Sequence, residues 1–185
     1  MARIPAATEE NVPPRHLEAF RAVMRDRAGL PHTGPSVVML HSPEAARRAR
    51  HLSDYLRNNS VLPRRAFELA VLVAAREMDS AYIWHEHAAH GRQAGLPDAL
   101  VDALRDRKAL PKLAPEDAAV VNYALELFHK HRVSPAAFQN ALKHFGVQGV
   151  TEMTMAMGYY TMGAFCVNAF EEAIPRKSAE PPLPV

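Results

Sequence analysis

One acid within an apolar segment is the first residue here that could do chemistry. The segment "AFELAVLVAA" at 66–75 contains nine apolar residues and a single carboxylate, Glu68. A helix this apolar should be buried on most sides. Because burial removes water from the charged form of a carboxyl group, the pKa of Glu68 is expected to rise toward the range useful for proton transfer. The alternative is structural, since Arg64 lies four residues earlier and could pair with Glu68 at the helix entrance.

A histidine in the next predicted helix is the candidate partner of Glu68. The segment "DSAYIWHEHAAHGRQAGL" at 79–96 has Asp79 or Ser80 as a capping residue and Gly95 as a stop signal. On a 3.6-residue period, His87 shares the inward stripe with Ile83 and Trp84. An inward histidine can be an ordinary core residue. If the two helices are antiparallel, however, His87 meets Glu68 in a dry cleft and the two form an acid–base pair.

The other side chains of this helix are assigned weaker roles. Tyr82 is expected to donate a hydrogen bond to a substrate, and Trp84 to form a wall of the pocket. Histidine spacing argues against a metal site, because the position four residues after His85 is Ala89 rather than a second histidine. His85 and His90 are therefore treated as candidates for anion binding or for the pocket entrance, or else as surface residues.

The rest of the sequence gives little indication of a nucleophilic cysteine or of a phosphate-binding loop. Cys166 is the only cysteine, which excludes an internal disulfide, and its apolar surroundings suit an inert thiol. The segment "GVQGVT" lacks the lysine that a phosphate-binding loop requires. No metal and no cofactor is predicted.

Composition indicates one soluble domain that spans 1–185. The chain is 48% hydrophobic and 23% charged, with a formal net charge of +2. The basic clusters are mixed with acids, so nucleic-acid binding is not expected. No apolar run reaches the roughly 20 residues that a membrane span needs, and the first residues lack an apolar signal core. A cytoplasmic location is expected.

Every clear periodic signal is helical, which predicts an all-α fold of about seven or eight helices. Proline at first turns and glycine at stops place the helices near 14–28, 43–58, 63–78, 80–94, 97–106, 115–131, 135–145 and 148–172. The segment 29–41 is predicted to be a loop or irregular. The Pro-rich tail, 173–185, is expected to be mobile or to lie on a partner. The final helix is apolar nearly all round, which suggests core and subunit interface, and hence a homo-oligomer.

The segment "RAFELAVLVAAREMDSAYIWHEHAAHGRQAGL" resembles the core motif of the carboxymuconolactone decarboxylase and alkyl hydroperoxidase D superfamily. The resemblance extends through "LAPEDAAVVNYALELFHKHRVS" and "GVTEMTMAMGYYTMGAFCVNAF" and covers about 35–172. In the peroxidase branch a Cys-x-x-Cys pair lies between the glutamate and the histidine. Those two cysteines fall here on Ser80 and Ile83, so the acid–base residues are retained and both thiols are missing.

The resemblance implies an alkyl hydroperoxidase D-like helical bundle, and trimers or hexamers, with a dimer also possible. It also implies a cofactor-free lyase that acts on a small lactone or carboxylic acid of aromatic-compound catabolism. In that hypothesis Glu68, His87 and Tyr82 are catalytic, and the substrate is contacted by Ser80, Ile83, Trp84, His85 and His90. The alternative is a non-catalytic helical oligomer that binds a small apolar ligand or a partner protein. Residual peroxidase activity through Cys166 is disfavoured, because resolving a sulfenic acid takes a second thiol.

Overall fold

The chain folds entirely from α-helices in the part that the structure describes, which is 2–26, 34–174 and 180–185 of a computed structural model. A short 3₁₀ turn at Pro14–His16 precedes the first helix. The helices are α1 Leu17–Asp26, α2 Pro35–Met39, α3 Pro43–Asn58, α4 Arg64–Glu77, α5 Ala81–Gln93, α6 Asp98–Arg105, α7 Pro115–Lys130 and α8 Pro135–Phe170. The predicted all-α class is therefore confirmed. None of the helices within the described ranges combines the length and apolar character needed to cross a membrane.

Proline and glycine mark most helix boundaries, as the sequence predicts. Pro43, Pro115 and Pro135 each occupy the first turn of a helix, where a missing N–H costs nothing. Gly95 follows α5 with φ of +90°, a conformation that favours glycine. Gly146 interrupts α8 with φ of +64° and ψ of 178°, which separates the two helices predicted at 135–145 and 148–172.

The central element is α4, which packs against α5, α7 and α8. Every residue from Ala66 to Arg76 is buried, and Glu68 is 0% exposed. The apolar residues of α4 belong to the main core cluster, which also contains Trp84 of α5 and Met153 and Met157 of α8. The chain thus places one carboxylate at the middle of its hydrophobic core. Such a position is stable only if the carboxylate finds polar partners there.

Two segments differ from the sequence-based expectation. The region predicted as a loop, 29–41, contains the short helix α2, because Pro35 starts a helix directly after Gly34; 29–33 lie outside the described residues. The tail was expected to be mobile or to contact a partner, but its last residues pack on their own chain. Leu183 is 4% exposed in the main core, and the Pro184 carbonyl accepts a 2.9 Å hydrogen bond from Arg76.

Candidate active site

The structure brings the two predicted residues, Glu68 and His87, into direct contact. Helices α4 and α5 are consecutive and antiparallel neighbours, so their inward faces meet across a short turn. His87 Nδ1 lies 2.8 Å from Glu68 Oε2. Glu68 is 0% and His87 2% exposed, which makes this a buried charge-assisted hydrogen bond.

Electrostatics decide which form each partner takes. Burial works to raise the pKa of Glu68, but the hydrogen bond from His87 and the Arg64 charge lower it below its ordinary value. The predicted rise in the Glu68 pKa was therefore wrong, because it considered burial alone, whereas His87 and Arg64 contact the carboxylate together and their combined effect exceeds that of burial. Arg64 does contact Glu68 Oε1, as the structural alternative proposed. Glu68 thus binds both groups, one through each oxygen.

His87 is correspondingly a neutral imidazole. Burial lowers the pKa of His87, and the nearby Arg57 charge acts in the same direction, against the opposing effect of Glu68. A carboxylate can only accept a hydrogen bond, so Nδ1 carries the proton that His87 donates to Glu68. The second ring nitrogen, Nε2, is then left with a lone pair. This makes Nε2 the basic atom of the pair.

Arg57 and Tyr160 lie on the Nε2 side of the imidazole. Arg57 Nη2 is 3.4 Å from His87 Nε2, and Arg57 Nε donates a 2.8 Å hydrogen bond to the Tyr160 hydroxyl. The Tyr160 ring meets the His87 ring edge-on, with 4.8 Å between centroids. Burial raises the pKa of Tyr160 to about 12, although Arg57 opposes that rise. Tyr160 therefore remains a neutral phenol at physiological pH.

Neither Arg57 nor Tyr160 was predicted from the sequence. Arg57 belongs to a basic helix that reads as a solvated face, and Tyr160 lies in a nearly continuous apolar run. One signal was available on α3: Arg50, Ser53, Asp54 and Arg57 recur at spacings of three and four residues. That spacing places them on one polar face of the helix, and this face lines the cavity.

A cavity of about 380 Å³ opens at the Nε2 side of His87. Helices α2, α3, α5 and α8 contribute to its wall, which includes Arg57, Tyr82, Ile83, His87, Tyr159 and Tyr160. The Tyr82 ring lies so close to Gly34 that a side chain at Gly34 would collide with it. The volume of the cavity is within the ordinary range for small-molecule sites.

Several residues predicted to contact substrate lie elsewhere. Ser80 is 0% exposed at the start of α5, with its hydroxyl buried and unpartnered among the described residues. Trp84 is 1% exposed within the main core. Neither lines the cavity, because the cavity meets α5 along Tyr82, Ile83, Glu86 and His87. The predicted inward stripe of α5 is divided between two environments: Ile83 and His87 line the cavity, whereas Trp84 is packed in the core.

The two remaining histidines of α5 differ in position. The His85 side chain is 11% exposed and lies 3.8 Å from Glu86, outside the cavity wall. His90 is exposed, and its ring meets His87 edge-on at 5.8 Å on the Glu68 side of the pair. His90 therefore connects the buried pair with the surface rather than with the cavity.

Glu68, His87 and His90 could in geometric terms hold a metal ion, since one potential ligand atom from each lies within 4.8 Å of the others. Two features oppose that use. The Arg64 guanidinium already contacts Glu68. A metal on Nδ1 would also displace the proton that His87 donates to Glu68 over 2.8 Å. The donor set suits proton transfer better than metal binding.

Cys166 lies on α8 and does not line this cavity. Burial raises the pKa of its thiol, which reduces the fraction of reactive thiolate. Among the described residues, the Glu68–His87 pair and the cavity wall thus provide acid–base groups and no thiol.

Comparison with solved structures shows that the chain has the alkyl hydroperoxidase D-like fold, which is shared by the carboxymuconolactone decarboxylases. It is similar to an uncharacterized peroxidase-related protein from Ralstonia eutropha, at 18% identity and a TM-score of 0.68, covering 93% of this chain and 91% of that one. It is also similar to a protein of unknown function from Agrobacterium tumefaciens that has been related to the antioxidant defence protein AhpD. That match has 19% identity and a TM-score of 0.66, covering 75% of this chain and 96% of the other.

A third similar structure is that of an alanine variant of the debrominase Bmp8 in complex with 2,3,4-tribromopyrrole. Its identity is 10% and its TM-score 0.65, covering 94% of both chains. No family model matches the sequence, and no curated protein sequence matches it significantly. At these identities the comparisons establish the fold, and the fold includes enzymes.

Proposed function

We propose that this protein is a cofactor-free acid–base lyase resembling 4-carboxymuconolactone decarboxylase, with a small lactone or carboxylic acid of aromatic-compound catabolism as substrate. The observation that carries the proposal is the buried pair, in which Glu68 binds Nδ1 of His87 and leaves Nε2 at the cavity. This arrangement matches a histidine base with its orienting carboxylate. The fold family includes enzymes, the acid–base pair supports proton transfer, and the decarboxylase reaction is taken from the family resemblance.

The chemistry needs no external electron acceptor when the substrate is a conjugated lactone. The bond between the carboxyl carbon and the ring breaks, carbon dioxide leaves, and the electron pair moves into the lactone carbonyl to form a dienolate. One proton must then be added to carbon. In each turnover His87 takes up one proton from solvent at Nε2, which forms an imidazolium paired with the Glu68 carboxylate, and it delivers this proton from Nε2 to the dienolate carbon. Positioned acid–base assistance of this type contributes roughly 10²–10⁴ in rate.

Other cavity residues have supporting roles in this proposal. Tyr82 lines the cavity and would donate a hydrogen bond to the lactone oxygen, and Ile83 provides an apolar wall. His90 would exchange protons between the buried pair and solvent, since it is exposed and contacts the His87 ring. A thiol route is not part of the proposal, because Cys166 lies outside the cavity wall.

A second candidate function has its own observation. Between Met155 and Ala169, one stripe of α8 is exposed and contains no charged residue; it comprises Met155, Gly158, Met162, Phe165 and Ala169. Phe165 is 57% exposed, which is unusual for an aromatic side chain of a monomer. We propose that this α8 stripe mediates self-association into a homo-oligomer. A purely binding role for the oligomer would leave the Glu68–His87 pair without catalytic use.

Carbon dioxide release from 4-carboxymuconolactone tests the proposed reaction. The wild-type protein should release carbon dioxide, and His87→Gln should be slower by roughly 10²–10⁴ while still folded. His51→Gln is the matched control, because His51 is an exposed histidine on α3 outside the cavity wall. Equal rates for His87→Gln and wild type would remove the acid–base assignment. Small-acid binding without turnover in the wild type would favour the binding role.

A further inference from the structure

The Arg57 guanidinium lines the cavity beside His87, and the acid–base pair alone does not explain its presence. Both of its polar partners, the Tyr160 hydroxyl and His87 Nε2, are uncharged groups. Among the described residues, no carboxylate lies within ion-pair distance of it. We propose that Arg57 is the carboxylate-binding residue of this cavity, and that its ligand is a small carboxylic acid with one carboxylate beside His87. This identifies a substrate class, and so rests on the proposed function.

The count of hydrogen-bond donors supports this assignment. A guanidinium has five N–H groups in a fixed planar fork. Arg57 uses Nε for Tyr160 and one Nη2 hydrogen toward His87. Three N–H groups remain without a partner in the described part of the chain. They belong to the two terminal nitrogens, whose shared edge can bind a carboxylate with two parallel hydrogen bonds.

Tyr160 and His87 also hold the guanidinium in place. The 2.8 Å bond to the phenol fixes Nε, and the guanidinium carbon lies 5.7 Å from the centroid of the same ring. An arginine on an exposed helix face normally samples many rotamers, and ordering it costs free energy when a ligand binds. Here part of that cost is met within the folded protein. The fork is therefore preorganised for an anion.

The other charged groups of the cavity wall do not perform this role as well. Arg50 lies 3.4 Å from Asp54, four residues along the same helix, so its charge is partly balanced. Glu86 lies 3.8 Å from His85 on the far side of α5 from the core. Arg57 is therefore the cation of the cavity wall that is best placed to bind a carboxylate.

The other residues of the cavity wall indicate what the uncharged part of the ligand is. Tyr82, Tyr159 and Tyr160 present aromatic rings, and Ile83, Met39 and Leu40 are apolar. A volume of about 380 Å³ admits one ring of benzoate size with short substituents. Flat rings pack well against tyrosine faces and edges. A carboxylate on the Arg57 fork would also place its ring carbon near Nε2, because both contact the same guanidinium.

Calorimetric titration with benzoate and with neutral benzamide tests the inference on the full-length protein. Benzoate should bind the wild type, and should bind Arg57→Gln at least about tenfold more weakly. Benzamide should bind weakly to both, since it lacks the charge. Arg48→Gln is the matched control, because Arg48 is on the same helix, is 74% exposed and is absent from the cavity wall.

Arg57→Lys provides a second variant that keeps the charge and removes the fork. It should bind benzoate with affinity between wild type and Arg57→Gln, and thermal unfolding should show that each variant is folded. Absence of benzoate binding to the wild type, or equal binding by Arg57→Gln, would overturn the assignment. The outcome is separate from the proposed reaction: benzoate binding that depends on Arg57 stands even if no carbon dioxide is released.

Discussion

Arg57 Nη2 lies 3.4 Å from His87 Nε2, and this contact determines which nitrogen of His87 carries the proton. A guanidinium can only donate, so Nε2 must accept, and the imidazole proton must be on Nδ1, where Glu68 accepts it. The same arginine charge also disfavours the imidazolium. One cation thus sets the tautomer and weakens the basicity of the residue that we place at the centre of the chemistry.

Nitrogen-15 NMR of histidine side chains measures this tautomer. At pH 7 His87 should be neutral with its proton on Nδ1, and it should become protonated only below its ordinary pKa of 6.5, since burial lowers the pKa. In Arg57→Gln the His87 pKa should rise, because a nearby positive charge is removed. Resonances of an imidazolium at pH 7, or of a proton on Nε2, would contradict this electrostatic description.

Glu152 is a second buried carboxylate, and its role is structural. It accepts hydrogen bonds from Ser60, Tyr55, Gln148 and the Val61 backbone, which tie the α3–α4 connection to α8. Burial alone would raise its pKa, but these donors lower it to about 2. Glu152→Gln should reduce the free energy of unfolding by about 2 kcal/mol, because an amide cannot accept all four bonds.

The pH dependence of this effect has a defined sign. Unfolded Glu152 gains a proton near its ordinary pKa of 4.5, whereas the folded residue gains one only near 2. Its contribution is therefore complete above pH 4.5 and is lost as the pH falls toward 2. Urea unfolding at several pH values should show the difference between wild type and Glu152→Gln narrowing over this range. Glu10→Gln, at an exposed acid, provides the control.

Features of the fold that depend on residues close together in the sequence could be predicted from it. Helix boundaries were predicted well because proline and glycine act locally, at Pro43, Pro115 and Gly146 for example. The Glu68–His87 contact was also predictable, since consecutive antiparallel helices bring inward residues together. The resemblance to a known family added the fold, which the structural comparisons confirm.

The remainder depends on contacts between residues far apart in the chain. Arg57 and Tyr160 are 103 positions apart, and no local pattern indicates that they form a hydrogen bond. Trp84 was assigned to the pocket wall because it shares the inward stripe of α5 with His87, yet its side chain packs in the main core. Leu183 follows two prolines in a tail that reads as mobile, and its burial depends on a gap that only the assembled bundle creates.

The α8 stripe yields a prediction about assembly. Phe165→Glu should shift the protein toward a lower apparent mass, because burying a carboxylate in an apolar interface without a partner is costly. Light scattering coupled to size-exclusion chromatography measures the mass. Val185→Glu makes the same kind of change at an exposed residue away from α8, and should leave the mass unchanged. An unaltered mass for Phe165→Glu, or a monomeric wild type, would exclude this stripe as a subunit interface.

A double-mutant cycle on carbon dioxide release from 4-carboxymuconolactone measures whether Glu68 and His87 act together. If Glu68 and His87 act as one acid–base unit, Glu68→Gln combined with His87→Gln should be no slower than the worse single variant. The single variants should each lose roughly 10²–10⁴ in rate while keeping the helical fold. Losses that multiply in the double variant, or single variants as fast as wild type, would contradict the account.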